Sequence, residues 1–242
     1  MISVVITHSS IESQFIDRQI KECSKFSDDI VVVSLKNLMS GEEDKNLKII
    51  YKDNVKHKII TCLSDSIKDK HNTTRWHGFI STDQKYDYVL FLDGDEIPNG
   101  DLFKEHLDNY PFELSAALSY KCYWYFRSEL YRAKKTEECA LLLKKSVIDR
   151  DFIFHEAERW NFLNRIHPEQ YQLHVASFDG EPMLHHYSWV RSKEQMLQKV
   201  SAWGHSNDTN WKELIEEEFS RPFSGTDFVH AYEYEILEKN IW

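Results

Sequence analysis

The first half of the chain alternates short apolar runs with segments whose apolar residues recur at helical spacing. Such alternation is typical of parallel strands joined by crossover helices, and it predicts an α/β fold. We predict strands at 2–7, 30–35, 47–51 and 86–92. We predict helices at 10–20, and from a cap at Asn72 or Thr73 toward residue 83.

The second half has a different pattern. An aromatic-rich run at 114–126 and an apolar run at 139–143 predict further strands, and helices dominate after Trp189. No internal repeat, low-complexity tract or Pro/Gly linker divides the 242 residues, a length that suits one large domain. We predict a single domain in three parts: a donor- and metal-binding lobe, an acceptor-side lobe and a helical C-terminal extension, at 1–97, 98–206 and 207–242.

Charge and composition limit the partners of the chain. Its 40 acidic and 30 basic residues are interleaved and give a net charge of −10, which argues against nucleic acid because phosphates require a basic face. Four scattered cysteines form no C-x-x-C pair, and no basic segment precedes the N-terminal apolar run. No apolar stretch reaches the roughly 20 residues of a membrane span. We expect a cytoplasmic protein, and its oligomeric state stays open.

Two carboxylates separated by one glycine, Asp93 and Asp95, follow the clearest predicted strand. In an open α/β sheet, ligands bind beyond the carboxyl ends of the strands. Acidic groups this close repel each other and favour a bound cation, and hard oxygen ligands select Mg²⁺ or Mn²⁺. Such a metal would neutralise a diphosphate and stabilise it as a leaving group. The alternative is a solvated β-turn, in which Asp and Gly are also common.

At these residues the chain resembles the GT-A glycosyltransferases, especially the family 2-like members. Residues 91–96 (FLDGDE) are similar to the D-x-D motif of that family. Residues 186–191 (HYSWVR) resemble an H-Y-x-W-V-R element found late in many small members. The strand ending at 7–9 (THS) and the segment 75–78 (RWHG) resemble corresponding parts of the family, so that the likeness spans roughly residues 2–200.

The resemblance implies a GT-A fold, with a Rossmann-like mixed sheet flanked by helices. It also implies an inverting glycosyltransferase that uses Mn²⁺ or Mg²⁺ to move sugar from a UDP- or GDP-sugar to a hydroxyl of a glycan, lipid or protein. A carbohydrate- or nucleotide-sugar-binding protein without turnover is the alternative. A nucleotidyltransferase fits less well, because residues 7–10 (THSS) lack the glycine-rich loop expected of sugar-nucleotide pyrophosphorylases.

The resemblance suggests metal ligands. Asp95 is implied as the principal ligand, and Asp93 as a contact to the ribose or the metal. A late histidine often completes the metal site in such folds. His185 and His186 are adjacent, so on a strand they point to opposite faces and only one can serve. His186 occupies the motif position, and a structural histidine is the alternative there.

Candidate donor contacts come from several segments. Thr7 and His8 end the first strand and belong to the resemblance. Arg75 and Arg191 could each hold a phosphate through bidentate hydrogen bonds, or pair with one of the many acids. The acidic segment that many members carry after the second strand is missing here. Asp53 is the nearest substitute, or else a plain surface acid.

An inverting transfer needs a general base for the acceptor hydroxyl. The resemblance places this base in the second half, where Glu156 is the first candidate and Glu158 the second. Asp149 and Asp151 are further candidates, and a helix-start acid stabilised by the macrodipole is the ordinary alternative. Residues 120–126 are predicted as an acceptor-side wall. One or two of five tryptophans are expected to stack on a ligand, since most tryptophans are core: Trp76, Trp124, Trp160, Trp189 and Trp203.

Overall fold

The computed structural model describes residues 2–156, 158–202 and 208–239. Within them, ten strands join one mixed sheet, and six α-helices accompany it. The strands are Ser3–His8 (β1), Asp29–Leu35 (β2), Val55–Ile60 (β3), Tyr88–Asp93 (β4), Glu96–Pro98 (β5), Ala117–Phe126 (β6), Ser128–Lys144 (β7), Tyr171–Val175 (β8), Leu184–Trp189 (β9) and Tyr234–Ile236 (β10). The helices are Ile16–Cys23 (α1), Ile67–Phe79 (α2), Gly100–Asn109 (α3), Arg150–His155 (α4), Lys193–Ala202 (α5) and Trp211–Phe219 (α6).

The sheet has a parallel part and a mixed part. β3, β2, β1 and β4 are neighbours in this order and run parallel. β7 pairs with β4 in the antiparallel sense, and β6, β9 and β5 continue the sheet. β8 and β10 pair with β6 and β7 outside this order. The predicted α/β fold, with a mixed sheet flanked by helices, is confirmed.

The central strands β1, β2 and β4 are mainly apolar and almost fully buried because helices cover both faces of the sheet. Val4 and Ile6 belong to the core beside α1, whereas Val5 belongs to the core beside α2. α2 lies close to the sheet because its Gly78 has no side chain. A Cβ at that position would lie 2.3 Å from a methyl group of Val5.

The third strand was predicted at the wrong place. Residues 47–51 lie in no strand, and Tyr51 is 86% exposed. The third strand is Val55–Ile60, at the edge of the sheet, where charged and apolar residues are mixed. An edge strand does not need a continuous apolar sequence, and Val55–Ile60 has none, so apolar runs do not predict this strand.

Two helices begin at positions other than those predicted. The cap predicted at Asn72 or Thr73 is wrong, because Ser66 caps α2 by accepting from the Asp69 N–H at 3.3 Å. The helix predicted at 10–20 begins only at α1, after a 3₁₀ turn. That turn lies beyond the end of β1, where it can contribute to a site at the strand ends.

The C-terminal part packs on β6 and β9. Trp189, Phe126 and Ile215 lie together in the core that α5 and α6 form with these strands. β10 pairs with β7, so this part contains a strand as well as the predicted helices. The predicted boundary at 206 and 207 involves residues outside those described. In the described part of the chain, no helix has the length and apolar character to cross a membrane.

A buried histidine in α3 makes stability depend on pH. His106 is 1% exposed, stacks on Tyr110 and has Nε2 3.4 Å from the hydroxyl of Tyr120. Burial lowers the pKa of His106 from 6.5 to about 4. Between these values the unfolded chain binds a proton here and the folded chain does not. Falling pH therefore removes stability, by up to about 1.4 kcal/mol per pH unit.

We expect the His106→Gln variant to lose less thermal stability than the wild type between about pH 7.5 and about pH 5, because its side chain does not titrate. Melting curves of both proteins at both pH values measure this difference. The other titrating groups are the same in the two proteins, so their contributions to the loss of Tm cancel in the comparison. Equal losses of Tm would contradict the assignment.

Candidate active site

The carboxyl ends of β1, β2 and β4 open into a cavity of about 350 Å³. These ends lie side by side because the three strands run parallel. Thr7 and His8 end β1, and Asp93 ends β4. α2 and α5 add Arg75 and Lys199 to the wall. The cavity therefore combines residues predicted from the motifs with cations from two helices.

The turn after β4 requires its glycine. A Cβ on Gly94 would lie 2.8 Å from the Cβ of Glu12 and 3.0 Å from the carbonyl oxygen of Thr7. The turn is therefore pressed against the end of β1. Glu96 is 1% exposed and holds the other side of this turn, because its carboxylate accepts a 2.7 Å hydrogen bond from the N–H of Asp93.

The carboxylate of Asp93 is held by a hydroxyl and by arginines. Thr7 Oγ1 donates a 2.8 Å hydrogen bond to one oxygen, and Arg159 Nη2 lies 3.1 Å from the other. Burial opposes ionisation, but the charges of Arg159 and Arg75 outweigh it and lower the pKa of Asp93 to about 2. Asp93 is therefore anionic at neutral pH.

The buried carboxylate of Asp95 faces three cationic side chains. Its Oδ2 lies 3.3 Å from Lys199 Nζ and 3.7 Å from Arg191 Nη2, and its Oδ1 lies 3.4 Å from His186 Nε2. Burial opposes ionisation, but Lys199 and His186 hold the pKa of Asp95 well below its usual range. Burial also disfavours a charged His186, yet Asp95 raises the pKa of that imidazole to about 10. The two residues form a buried ion pair.

As arranged, these residues do not fit a divalent cation. In the described part of the chain, no group of three or more His, Cys, Asp or Glu is placed to hold a metal ion. Both oxygens of Asp95 already face cations, and Arg159 lies against one oxygen of Asp93. A metal bound by Asp95 would have to displace Lys199 or Arg191. Protein cations thus already neutralise the repulsion from which a metal was expected.

The two histidines of β9 point to opposite faces, as neighbours on a strand do. His186 lines the cavity beside Asp95. His185 points away, with Nδ1 2.8 Å from the hydroxyl of Tyr125. Burial lowers the pKa of His185 to about 3. Of the pair, His186 is the residue placed at the predicted site.

Three of the predicted donor contacts, Thr7, His8 and Arg75, lie on the cavity wall. His8 is only 5% exposed, and neither of its ring nitrogens has a hydrogen-bond partner among the described residues. Burial lowers its pKa to about 4, so the ring is neutral at pH 7 and carries one donor and one acceptor. Burial also lowers the pKa of Arg75, to about 10, which leaves it charged.

Two predicted donor contacts, Asp53 and Arg191, lie off the wall. Asp53 is exposed in the turn before β3 and does not line the cavity. Arg191 is buried and donates to the carbonyl oxygens of Ser188, at 3.0 Å, and Ile11. It also lies 3.5 Å from the carboxylate of Glu12. Arg191 therefore ties the turn after β1 to the end of β9.

The fold separates the candidate bases. Glu158 lines the cavity, and no hydrogen bond or ion pair joins its carboxylate to another described residue. Glu156 is off the wall, with its carboxylate 3.7 Å from His155 Nε2. Asp149 caps α4, and Asp151 is exposed in the first turn of that helix. Glu158 is therefore the candidate that can meet a ligand in the cavity.

A second cavity, of about 250 Å³, adjoins the first. Arg159 and Glu96 line it and are joined by two hydrogen bonds, one of 2.8 Å. Trp160 lies on its wall and is 61% exposed. Five residues line both cavities: Asp93, Trp124, Glu158, His186 and His230. The two cavities therefore share a boundary at the acidic motif.

The predicted aromatic contacts are only partly at these cavities. Trp124, from the predicted wall at 120–126, lines both, and Trp189 lines the first. Trp76 packs in the core beside α2. Trp203 lies outside the described residues.

Several residues at the cavities were not predicted from the sequence, among them Lys199, His230 and Arg159. Lys199 sits between apolar positions on the inner side of α5, where helical spacing indicates core. His230 lies in the C-terminal part, in which no motif was recognised. Arg159 directly follows Glu158, which was predicted as a general base, but nothing in the sequence separately indicates a role for Arg159.

Comparisons with known proteins give only distant likenesses. No protein-family profile matches the chain, and no curated protein sequence matches it. Among solved structures of similar fold, 4-diphosphocytidyl-2C-methyl-D-erythritol synthase from Anaerococcus prevotii is 11% identical over 82% of this chain and 99% of that protein, at a TM-score of 0.48. The glycosyltransferase GlyE from Streptococcus pneumoniae is 15% identical, with 90% and 63% covered and a TM-score of 0.41.

TarS from S. aureus, also solved in complex with UDP-GlcNAc, is 16% identical to this chain. The likeness covers 90% of this chain and 70% of the TarS structure, at a TM-score of 0.46. The chain spans less than two thirds of the GlyE structure. Glycosyltransferases are thus among the structures found.

The ion pairs of Asp95 predict how the free protein responds to a metal. We expect Mn²⁺ to bind the Lys199→Gln variant at least about tenfold more tightly than the wild type, because a cation 3.3 Å from Asp95 is removed. Electron paramagnetic resonance titration of Mn²⁺ measures both affinities, with the exposed-residue variant Lys212→Gln as control. Equal affinities in wild type and Lys199→Gln would show that Lys199 does not oppose the metal.

Proposed function

We propose that this protein is a glycosyltransferase that takes its sugar from a nucleotide-diphosphate sugar. The observation that carries the proposal is the cavity at the ends of the parallel strands. It combines two acids, Asp93 and Asp95, with two cations, Arg75 and Lys199, and it meets a second cavity at Glu158. A donor and an acceptor each have a place, with a carboxylate where they meet.

The donor lies in the larger cavity. Arg75 and Lys199 hold the diphosphate, since charge-assisted hydrogen bonds to phosphate are the strong contacts available there. Neutral His8 offers its unused ring nitrogens to the nucleoside. The Mn²⁺ or Mg²⁺ expected from the sequence remains a prediction. Asp93 and Asp95, the acids expected to bind it, already face cationic side chains.

The transfer is an inverting displacement. Glu158 takes the proton of the acceptor hydroxyl while the oxygen of that hydroxyl attacks the anomeric carbon of the donor sugar. The new C–O bond forms while the bond from that carbon to the diphosphate oxygen breaks. The nucleoside diphosphate leaves with the bonding electron pair, and the cations of the cavity stabilise the negative charge.

The position of Asp95 decides which variant tests the proposal cleanly. Removing this carboxylate would take the acid that faces Lys199, His186 and Arg191 out of a buried charge network, at a cost of about 3–5 kcal/mol. Loss of activity in such a variant would not separate chemistry from folding. Glu158 is exposed and makes no hydrogen bond or ion pair with another described residue, so we expect its replacement to leave the fold intact.

We expect Glu158→Gln to lower the transfer rate at least about 100-fold, because an amide cannot accept the proton. Binding of the nucleotide should persist, because the phosphate contacts are unchanged. The matched control is Glu156→Gln, two residues away and off the cavity wall, which should retain wild-type activity. The assay follows nucleotide release and sugar transfer with a panel of UDP- and GDP-sugars, with and without Mn²⁺.

Two outcomes would overturn parts of this account. Nucleotide binding without turnover of any sugar nucleotide would favour a non-catalytic binding protein. Wild-type transfer by Glu158→Gln together with loss in Glu156→Gln would move the base to the first sequence candidate.

A further inference from the structure

The cavity next to the donor site has a composition of its own. Its volume of about 250 Å³ is below the roughly 300–1,000 Å³ of pockets that bury drug-sized ligands, so it suits a single small ring. It adjoins the larger cavity at Asp93 and Glu158. A ligand there therefore reaches Glu158, as a donor in the larger cavity does.

Negative charge dominates the wall of this cavity. Two glutamates of β7, Glu137 and Glu138, line it in addition to Glu158. Glu137 accepts a hydrogen bond from Tyr232 and lies 3.0 Å from Lys135 Nζ. Glu138 accepts a hydrogen bond from Ser119 and pairs with His174.

Two cations line this cavity among the described residues, and both already face carboxylates: Arg159 is bound by Asp93 and Glu96, and His186 is paired with Asp95. A carboxylate or phosphate on the ligand would therefore be repelled rather than paired.

Aromatic rings supply the rest of the wall. Trp160 is 61% exposed, so its indole face is available to a ligand, and Tyr232 and His230 lie on the same cavity. Burial lowers the pKa of His230, which keeps this ring neutral. Flat apolar faces beside hydrogen-bond acceptors match a sugar ring, which has C–H faces and hydroxyl edges.

We propose that this second cavity binds the acceptor, and that the acceptor is a sugar unit without negative charge. The inference rests on the proposed function and specifies its substrate. Trp160 stacks on the ring, Glu137 and Glu138 accept hydrogen bonds from its hydroxyls, and the attacking hydroxyl points to Glu158. Uronic acids and phosphorylated sugars are excluded by the carboxylates.

The test compares acceptors that differ only in charge. Methyl glycosides of glucose, galactose and mannose are offered beside the matching methyl uronosides, with the sugar nucleotide that the protein turns over. For at least one pair we expect kcat/KM to be at least about tenfold higher for the neutral sugar. Glu137→Lys should reduce this ratio, because it reverses one charge of the wall.

Trp160→Ala tests the stacking contact. We expect it to raise the KM of the acceptor about fivefold, and more than it raises the KM of the donor. Leu114→Ala is the control, since Leu114 is 83% exposed and lines neither cavity. Its kinetics should match those of the wild type.

The possible results separate this inference from the proposed function. Equal use of neutral and uronic acceptors, an acceptor KM unchanged by Trp160→Ala, or rejection of every sugar while the donor is still hydrolysed would overturn the acceptor assignment alone. Failure to bind or hydrolyse any sugar nucleotide would overturn the proposed function instead.

Discussion

Buried ion pairs behind the strand ends are the interaction on which the rest of the structure depends. Asp95 is matched by Lys199, and Asp93 and Glu96 share Arg159. These contacts join the end of β4 to α5 and to the segment after α4. Because an unpaired buried charge costs several kcal/mol, each member requires the others. The network fixes the acidic turn and, with it, the boundary between the two cavities.

The fold could be predicted from the sequence where burial is complete. The strands expected at 30–35 and 86–92 were found within two residues, because strands covered on both faces need continuous apolar runs. Prediction failed at the edge, where β3 mixes lysines with apolar residues. It also shortened β7 to 139–143, since most of the rest of that 17-residue strand is only partly buried.

The candidate site was predictable as a set of motifs but not as a charge distribution. The motifs pointed to Asp93, Asp95 and His186, which the fold brings together. Their counter-ions lie far away in sequence: Lys199 is 104 residues from Asp95. No local spacing indicates such a pair, so the need for a metal looked stronger from the sequence than it does from the structure. Likewise, the conformation of the segment after α4 decides that Glu158 and not Glu156 lines the cavity. The sequence alone does not indicate which of the two glutamates does so.

A nucleotide diphosphate is expected among Arg75, Lys199 and His8, in the cavity that Glu158 also lines. The structure of the protein in complex with UDP or GDP tests this placement most directly. We predict phosphate oxygens within about 3 Å of nitrogens of Arg75 and Lys199, and the nucleoside beside His8. A nucleotide bound outside this cavity, or bound in it with its phosphates away from both cations, would contradict the account.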